Sequence, residues 1–138
     1  MELRISVRGE FRIEPPLKWS EIKASSFLHT EQGGSGITDL VLQVTSQEYE
    51  TEEGLNTVIT CDRAVPWTHS PYDPANLLEN AEDLRAECAG HKVTGEMILY
   101  DMERVGYVTR IVMDAEGVRE ECARLVWPDG EEGEPLYY

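Results

Sequence analysis

One segment near the start of the chain constrains the fold more than any other. Leu3, Ile5, Val7, Phe11 and Ile13 alternate with Glu2, Arg4, Ser6, Arg8, Glu10, Arg12 and Glu14. Period two with β-branched and aromatic residues means a strand with one buried and one wet face. Such a strand must sit in a sheet covered on one side. Gly9 falls at an inward position, which suggests a bulge or a close backbone approach. Pro15-Pro16 is expected to end the strand, because neither residue can donate to a ladder.

Further along, Lys18 to Ser26 reads as a short helix with Trp19 and Ile22 three apart. Gln32-Gly33-Gly34-Ser35-Gly36 reads as a flexible linker, since no Lys-Ser/Thr pair opens a helix after it, as a phosphate-binding loop would require. Residues 39–50 and 55–65 predict a hairpin turning at Glu52-Glu53-Gly54. Residues 73–90 predict the strongest helix. Asp73 can cap it, Pro74 suits its first turn, Leu77, Ala81, Leu84 and Cys88 form one stripe, and Gly90 stops it. Three strands follow, at His91–Asp101, Gly106–Asp114 and Val118–Trp127. The resulting order, β-α-β-β-α-β-β-β, points to an α+β fold, a ferredoxin-like split βαβ extended by two C-terminal antiparallel strands. Residues 1–130 form one domain in this reading, with 131–138 an acidic, frayed tail.

Charge narrows the partners. The chain of 138 residues has 12 basic and 27 acidic side chains, a net of −15. Residues 1–30 contain five basic and four acidic groups, leaving a net of −16 on residues 31–138. Binding nucleic acid or an anionic membrane requires clustered Lys and Arg, so neither is an expected partner. No run approaches the ~18 apolar residues of a membrane span. Cys61, Cys88 and Cys122 are odd in number and lack a C-x-x-C pair. They suggest reduced thiols and a cytoplasmic setting, with Cys88 and Cys61 facing the core.

Chemistry-bearing patterns are sparse. His29, His69 and His91 lack metal-ligand spacing, so neither a metal nor a cofactor is expected. No activated nucleophile or recognisable carboxylate pair stands out, and the balance leans away from an enzyme. The loop 66–74 is the most site-like, placing Trp67, His69 and Tyr72 before a helix N-terminus; it carries the alternative reading of a small-ligand-binding domain. On the second helix Glu79, Glu82, Asp83 and Glu87 form a row of negative charge with neighbours ~5–6 Å apart. Together with Glu48, Glu50, Glu52 and Glu53 at the hairpin tip, this row could imitate a phosphate backbone.

Two segments carry a resemblance. Pro15-Pro16-Leu17-Lys18-Trp19-Ser20-Glu21-Ile22 following a G-x-F-x-I strand, with Trp127-Pro128-Asp129-Gly130 near the other end, resembles an uncharacterised domain-of-unknown-function family of Streptomyces-like actinobacteria and their phages. The resemblance implies no activity, cofactor or catalytic residue; it implies accessory genes on phages or mobile elements. The leading expectation is a small acidic, non-enzymatic interaction protein, of the phage or mobile-element anti-defence type. It would dock a negative surface on a basic host or defence protein. An exposed sheet edge would also let a second copy pair, as a homodimer.

Overall fold

The computed structural model describes residues 5–28, 38–67, 74–101 and 107–135. Its elements are β1 (Ile5–Lys18), α1 (Trp19–Ile22), β2 (Leu40–Thr51), β3 (Gly54–Pro66), α2 (Pro74–Glu87), β4 (Lys92–Asp101), β5 (Val108–Asp114), β6 (Gly117–Cys122), β7 (Arg124–Val126) and β8 (Glu132–Pro135). Six strands form one antiparallel sheet in the order β2-β3-β1-β4-β5-β6, and β7 pairs with β8 separately.

The α+β, ferredoxin-like expectation is overturned: the described residues are mostly β, with eight strands against two short helices. The expected helix at 18–26 is a single turn of four residues, too short to cover a sheet. Serines cut it short. Ser25 N–H donates to the Ile22 carbonyl, Ser25 Oγ accepts from Phe27 N–H, and Ser26 N–H donates to Glu87 Oε2. Such local bonds compete with helix propagation. Helical cover of the sheet falls mainly to α2, whose Leu77, Ala81 and Leu84 are fully buried.

The first strand does not stop at its prolines. β1 pairs with β4 as far as Glu14↔Lys92, and with β3 at Phe11↔Ala64 and Arg12↔Arg63, then again at Leu17↔Cys61. Pro15 and Pro16 fall inside that register gap, beyond the last β4 pair, where no ladder donor is required. Gly9 and Gly95 show why β1 and β4 approach so closely. Both adopt positive φ, +120° and +138°, and a Cβ on either would collide with a carbonyl of the opposite strand, Glu96 or Glu10. Only glycine tolerates that conformation and contact together.

The C-terminal strands match the sequence reading in part. β5 and β6 extend the sheet beyond β4 and do not fold across it. The strand expected over Val118–Trp127 breaks at Ala123, and residues 132–135 of the expected frayed tail form β8. The turn between β7 and β8 makes this pairing. Trp127 N–H donates to the Glu131 carbonyl, Gly130 N–H to the Trp127 carbonyl, and Glu131 N–H to Asp129 Oδ1. Trp127-Pro128-Asp129-Gly130 therefore reverses the chain where it was expected to end a strand.

The core lies between one sheet face and the α1–α2 layer. Phe11 and Ile13 of β1, Leu40 and Leu42 of β2, Cys61 and Ala64 of β3, Met97 and Leu99 of β4, and Ile111 and Met113 of β5 meet Ile22, Phe27 and the α2 stripe. Burying a leucine or isoleucine contributes ~1.5–3 kcal/mol, so this layer carries the fold.

Candidate functional site

The basic side chains concentrate on the sheet face opposite α2. There Arg63 lies 3.4 Å from Glu10 and 3.1 Å from Asp62. Arg110 bridges Glu96 at 3.2 Å and Glu121 at 3.0 Å, while Arg119 bridges Glu121 at 2.9 Å and Asp114 at 2.8 Å. Arg8 stands 5.8 Å from the centroid of the Tyr100 ring. These neighbours follow from register, since Glu96 opposes Val112, Ile98 opposes Arg110 and Arg110 opposes Glu121 across β4, β5 and β6. The mutual bonds raise the Arg110 and Arg119 pKa values and lower those of Glu121 and Asp114, chiefly through the side-chain hydrogen bonds. This face is close to self-neutralised.

The surplus of carboxylates falls elsewhere. Glu79, Glu82, Asp83 and Glu87 are all exposed on the outer side of α2, as the 3.6-residue period requires. Glu87 is occupied by Ser26 N–H at 3.2 Å, while Arg85 turns to the Ala115 carbonyl at 3.3 Å. Glu48, Glu50, Glu52 and Glu53 are exposed at the far end of the β2–β3 hairpin. Among the described residues, no Lys or Arg pairs with Glu48, Glu50, Glu52, Glu53, Glu79, Glu82 or Asp83. The two sets do not share one contact point: α2 meets the start of β2, where Asn80 Oδ1 accepts from Asp39 N–H at 2.7 Å. Glu52 lies ~40 Å of extended strand beyond that bond.

The hairpin itself is unusual. β1 pairs with β3 no further than Lys18↔Thr60, so beyond Thr60 the two strands have only each other. Every residue from Gln43 to Val58 is exposed, including Tyr49 at 50% and Leu55 at 64%. The pair forms an arm with Val44, Ser46, Glu48 and Glu50 on one face and Thr45, Gln47, Tyr49 and Thr51 on the other.

Of the alternative site, Trp67 is half-buried and its N–H donates to the Asp39 carbonyl at 2.8 Å, closing the end of the β2–β3 pair. His69, Tyr72 and Asp73 lie outside the described residues. Two hollows are lined by other segments. One, of about 290 Å³, is bordered by Arg85, Cys88, His91 and Asp114; the other, of about 450 Å³, lies between β7 and the open sheet face, bordered by Ile98, Val108, Arg110, Arg124 and Val126.

The first hollow brings a cysteine near a histidine, and its chemistry can be read. Burial pushes the Cys88 thiol up to about 12, helped by the Glu87 carboxylate, so it stays protonated at neutral pH. His91 is not free to deprotonate it. Its Nδ1 is 2.6 Å from the Pro15 carbonyl and its Nε2 is 2.7 Å from Glu21 Oε2. Both partners accept, so both nitrogens donate only when the ring is protonated. Burial alone would lower the His91 pKa, but the bonds to Glu21 and Pro15 outweigh it and the net shift is upward. The Glu21 carboxyl is lowered by the Lys18 N–H and then by His91. This cluster is a clasp holding α1 to the start of β4. Spacing along the chain does not reveal these partners of His91, which lie 76 and 70 residues away. Cys61 and Cys88 are buried as expected, and burial raises the Cys61 thiol as well. Among the described residues no group of three His, Cys, Asp or Glu converges as metal ligands would, and no helix is long and apolar enough to cross a membrane.

Fold and surface together define a mostly β protein with one self-neutralised face and an acidic arm. The chain belongs to a family of unknown function, DUF6205, which matches residues 1–135. No curated protein and no solved structure matches it.

Proposed function

We propose that this protein is a non-enzymatic interaction protein that docks an acidic surface on a basic partner protein. The observation supporting this reading is the segregation of charge. Arginines neutralise carboxylates on the open sheet face, while the arm bears four unpaired glutamates beside exposed Tyr49, Leu55 and Val58. Leu55 stands opposite Glu50 on the glutamate face, while Val58 stands opposite Gln47 and beside Tyr49 on the other; exposed apolar groups bordering charge of one sign are the usual anatomy of a contact surface. A nuclease, whose own substrate is a polyanion, is the basic partner that such a surface fits best, in keeping with a phage or mobile-element inhibitor. The three unpaired thiols favour a cytoplasmic setting.

The test uses the full chain immobilised and presented with host lysate at low and high salt. A basic protein retained at low ionic strength should be released steeply as salt rises, and Glu48→Gln/Glu50→Gln should abolish its retention. Retention indifferent to salt and to both substitutions would overturn the reading.

A further inference from the structure

The mode of docking follows from the edges of the sheet. The sheet ends at β6 on one side and β2 on the other. β6 is six residues long and displays Arg119, Glu120 and Glu121, charges of both signs that discourage pairing with another chain. β2 has twelve residues, no proline and no basic residue, and pairs on one side with β3 alone. Its other side is taken at Leu42, whose N–H donates to the Phe27 carbonyl at 3.0 Å; beyond it, among the described residues, Val44–Thr51 presents a row of backbone N–H and C=O groups, the template for strand addition.

Side chains specify what could lie there. A strand laid along β2 would meet Glu48 and Glu50 on one face of the arm, and Gln47 and Tyr49 on the other. Opposite charges across a strand pair stabilise it, and like charges directly opposite are destabilising. A second copy is disfavoured where the glutamates lie, because antiparallel self-pairing centred on Tyr49 would set Glu48 against Glu50. We propose that β2 accepts an extended basic segment as a seventh strand of the sheet. That segment would place Lys or Arg at alternate positions opposite Glu48 and Glu50, with apolar or aromatic residues between them facing Tyr49. This rests on the reading that the acidic arm is a contact surface, and it names the partner's local chemistry and conformation.

The arm's isolation favours the same mode. A two-stranded hairpin is at best marginally stable by itself, and a third strand would supply the neighbour that β1 provides only up to Lys18.

The probe is a ten-residue peptide of alternating Lys and Val, added to the full chain and followed by residue-resolved amide exchange. Amides within Val44–Thr51 should slow at least tenfold at alternate positions, while those of α2 keep their rates. The same peptide N-methylated at every second residue keeps its charge but cannot complete a ladder, and should lose the protection. Equal binding and protection with the methylated peptide would overturn strand addition while leaving charge-driven docking intact. Absence of binding by either peptide would remove the arm as a basic-partner surface altogether. Protection that grows with protein concentration and without peptide would show a second copy as the occupant and overturn the proposal. Glu48→Lys/Glu50→Lys should melt like the parent chain yet fail to bind the peptide; unchanged binding would also overturn it.

Discussion

The two halves of the β2–β3 hairpin are made of continuous strands, yet they live in different environments. At the proximal end Leu40, Leu42, Cys61 and Ala64 are buried beneath α2 and beside β1. At the distal end, from Gln43 to Val58, nothing is buried. The β2–β3 ladder runs through both halves, so that ladder does not distinguish them. What differs is the neighbour: β1 supplies a third strand as far as Lys18, and α2 supplies a lid near Asp39. The body of the protein is thus held by side-chain burial, whereas the arm is held by its ladder and a few side-chain bonds, such as Asn56 Nδ2 to Thr51 Oγ1, and presents both faces to solvent.

Substitutions can break that comparison or sharpen it. Phe11→Ala, in the body, should cost roughly 3–5 kcal/mol in urea unfolding, because Phe11 is fully buried and leaves a cavity. Gly95→Ala should cost about 1–3 kcal/mol in the same measurement, since its positive φ and the Glu10 carbonyl both oppose a Cβ. An effect near zero there would mean the β1–β4 approach relaxes easily.

The His91 clasp should give a smaller, pH-dependent effect. Its raised pKa means the contribution is full below the ordinary value of 6.5 and is lost as pH rises through the folded-state value. Glu21 works the other way, contributing above its ordinary 4.5 and losing this as pH falls through its lowered value. Between these limits the clasp is complete. The melting temperature of the parent chain should therefore fall from pH 6 toward pH 8 relative to His91→Gln, whose profile should be flat over that interval; parallel profiles would refute the clasp. The smallest effect belongs to the arm. Leu55→Ala should stay within ~0.5 kcal/mol of the parent in urea unfolding. A core-sized loss would mean that the arm packs against something, and the contrast between the halves would disappear.

Much of the sheet was legible in the sequence, because alternation of Val7, Phe11 and Ile13 with charged neighbours has one physical meaning. The α2 stripe was equally plain, and with it the outward set of Glu79, Glu82 and Asp83. The fold class was not. It turned on whether residues 18–26 formed a covering helix, and the Ser25 hydroxyl bonding Phe27 N–H, with the Ser26 backbone N–H drawn to Glu87, decided against it. The passage of β1 through Pro15 and Pro16 depends on a register gap opposite Asp62, which no local pattern encodes. β7 and β8 are three and four residues long and exist through their mutual pairing. As for the surface, the acidic positions could be counted in advance, but not the pairing of Arg63, Arg110 and Arg119 on the opposite face. That pairing is set by cross-strand register, and it is what leaves the arm uncompensated.

The three thiols carry a practical consequence. Cys122 is exposed on β6, while Cys61 and Cys88 are buried. A maleimide should therefore tag the native molecule once and the denatured molecule three times. Label stoichiometry, read by mass, would count opened molecules one by one, and a dye on Cys122 would sit at the opposite border of the sheet from the arm.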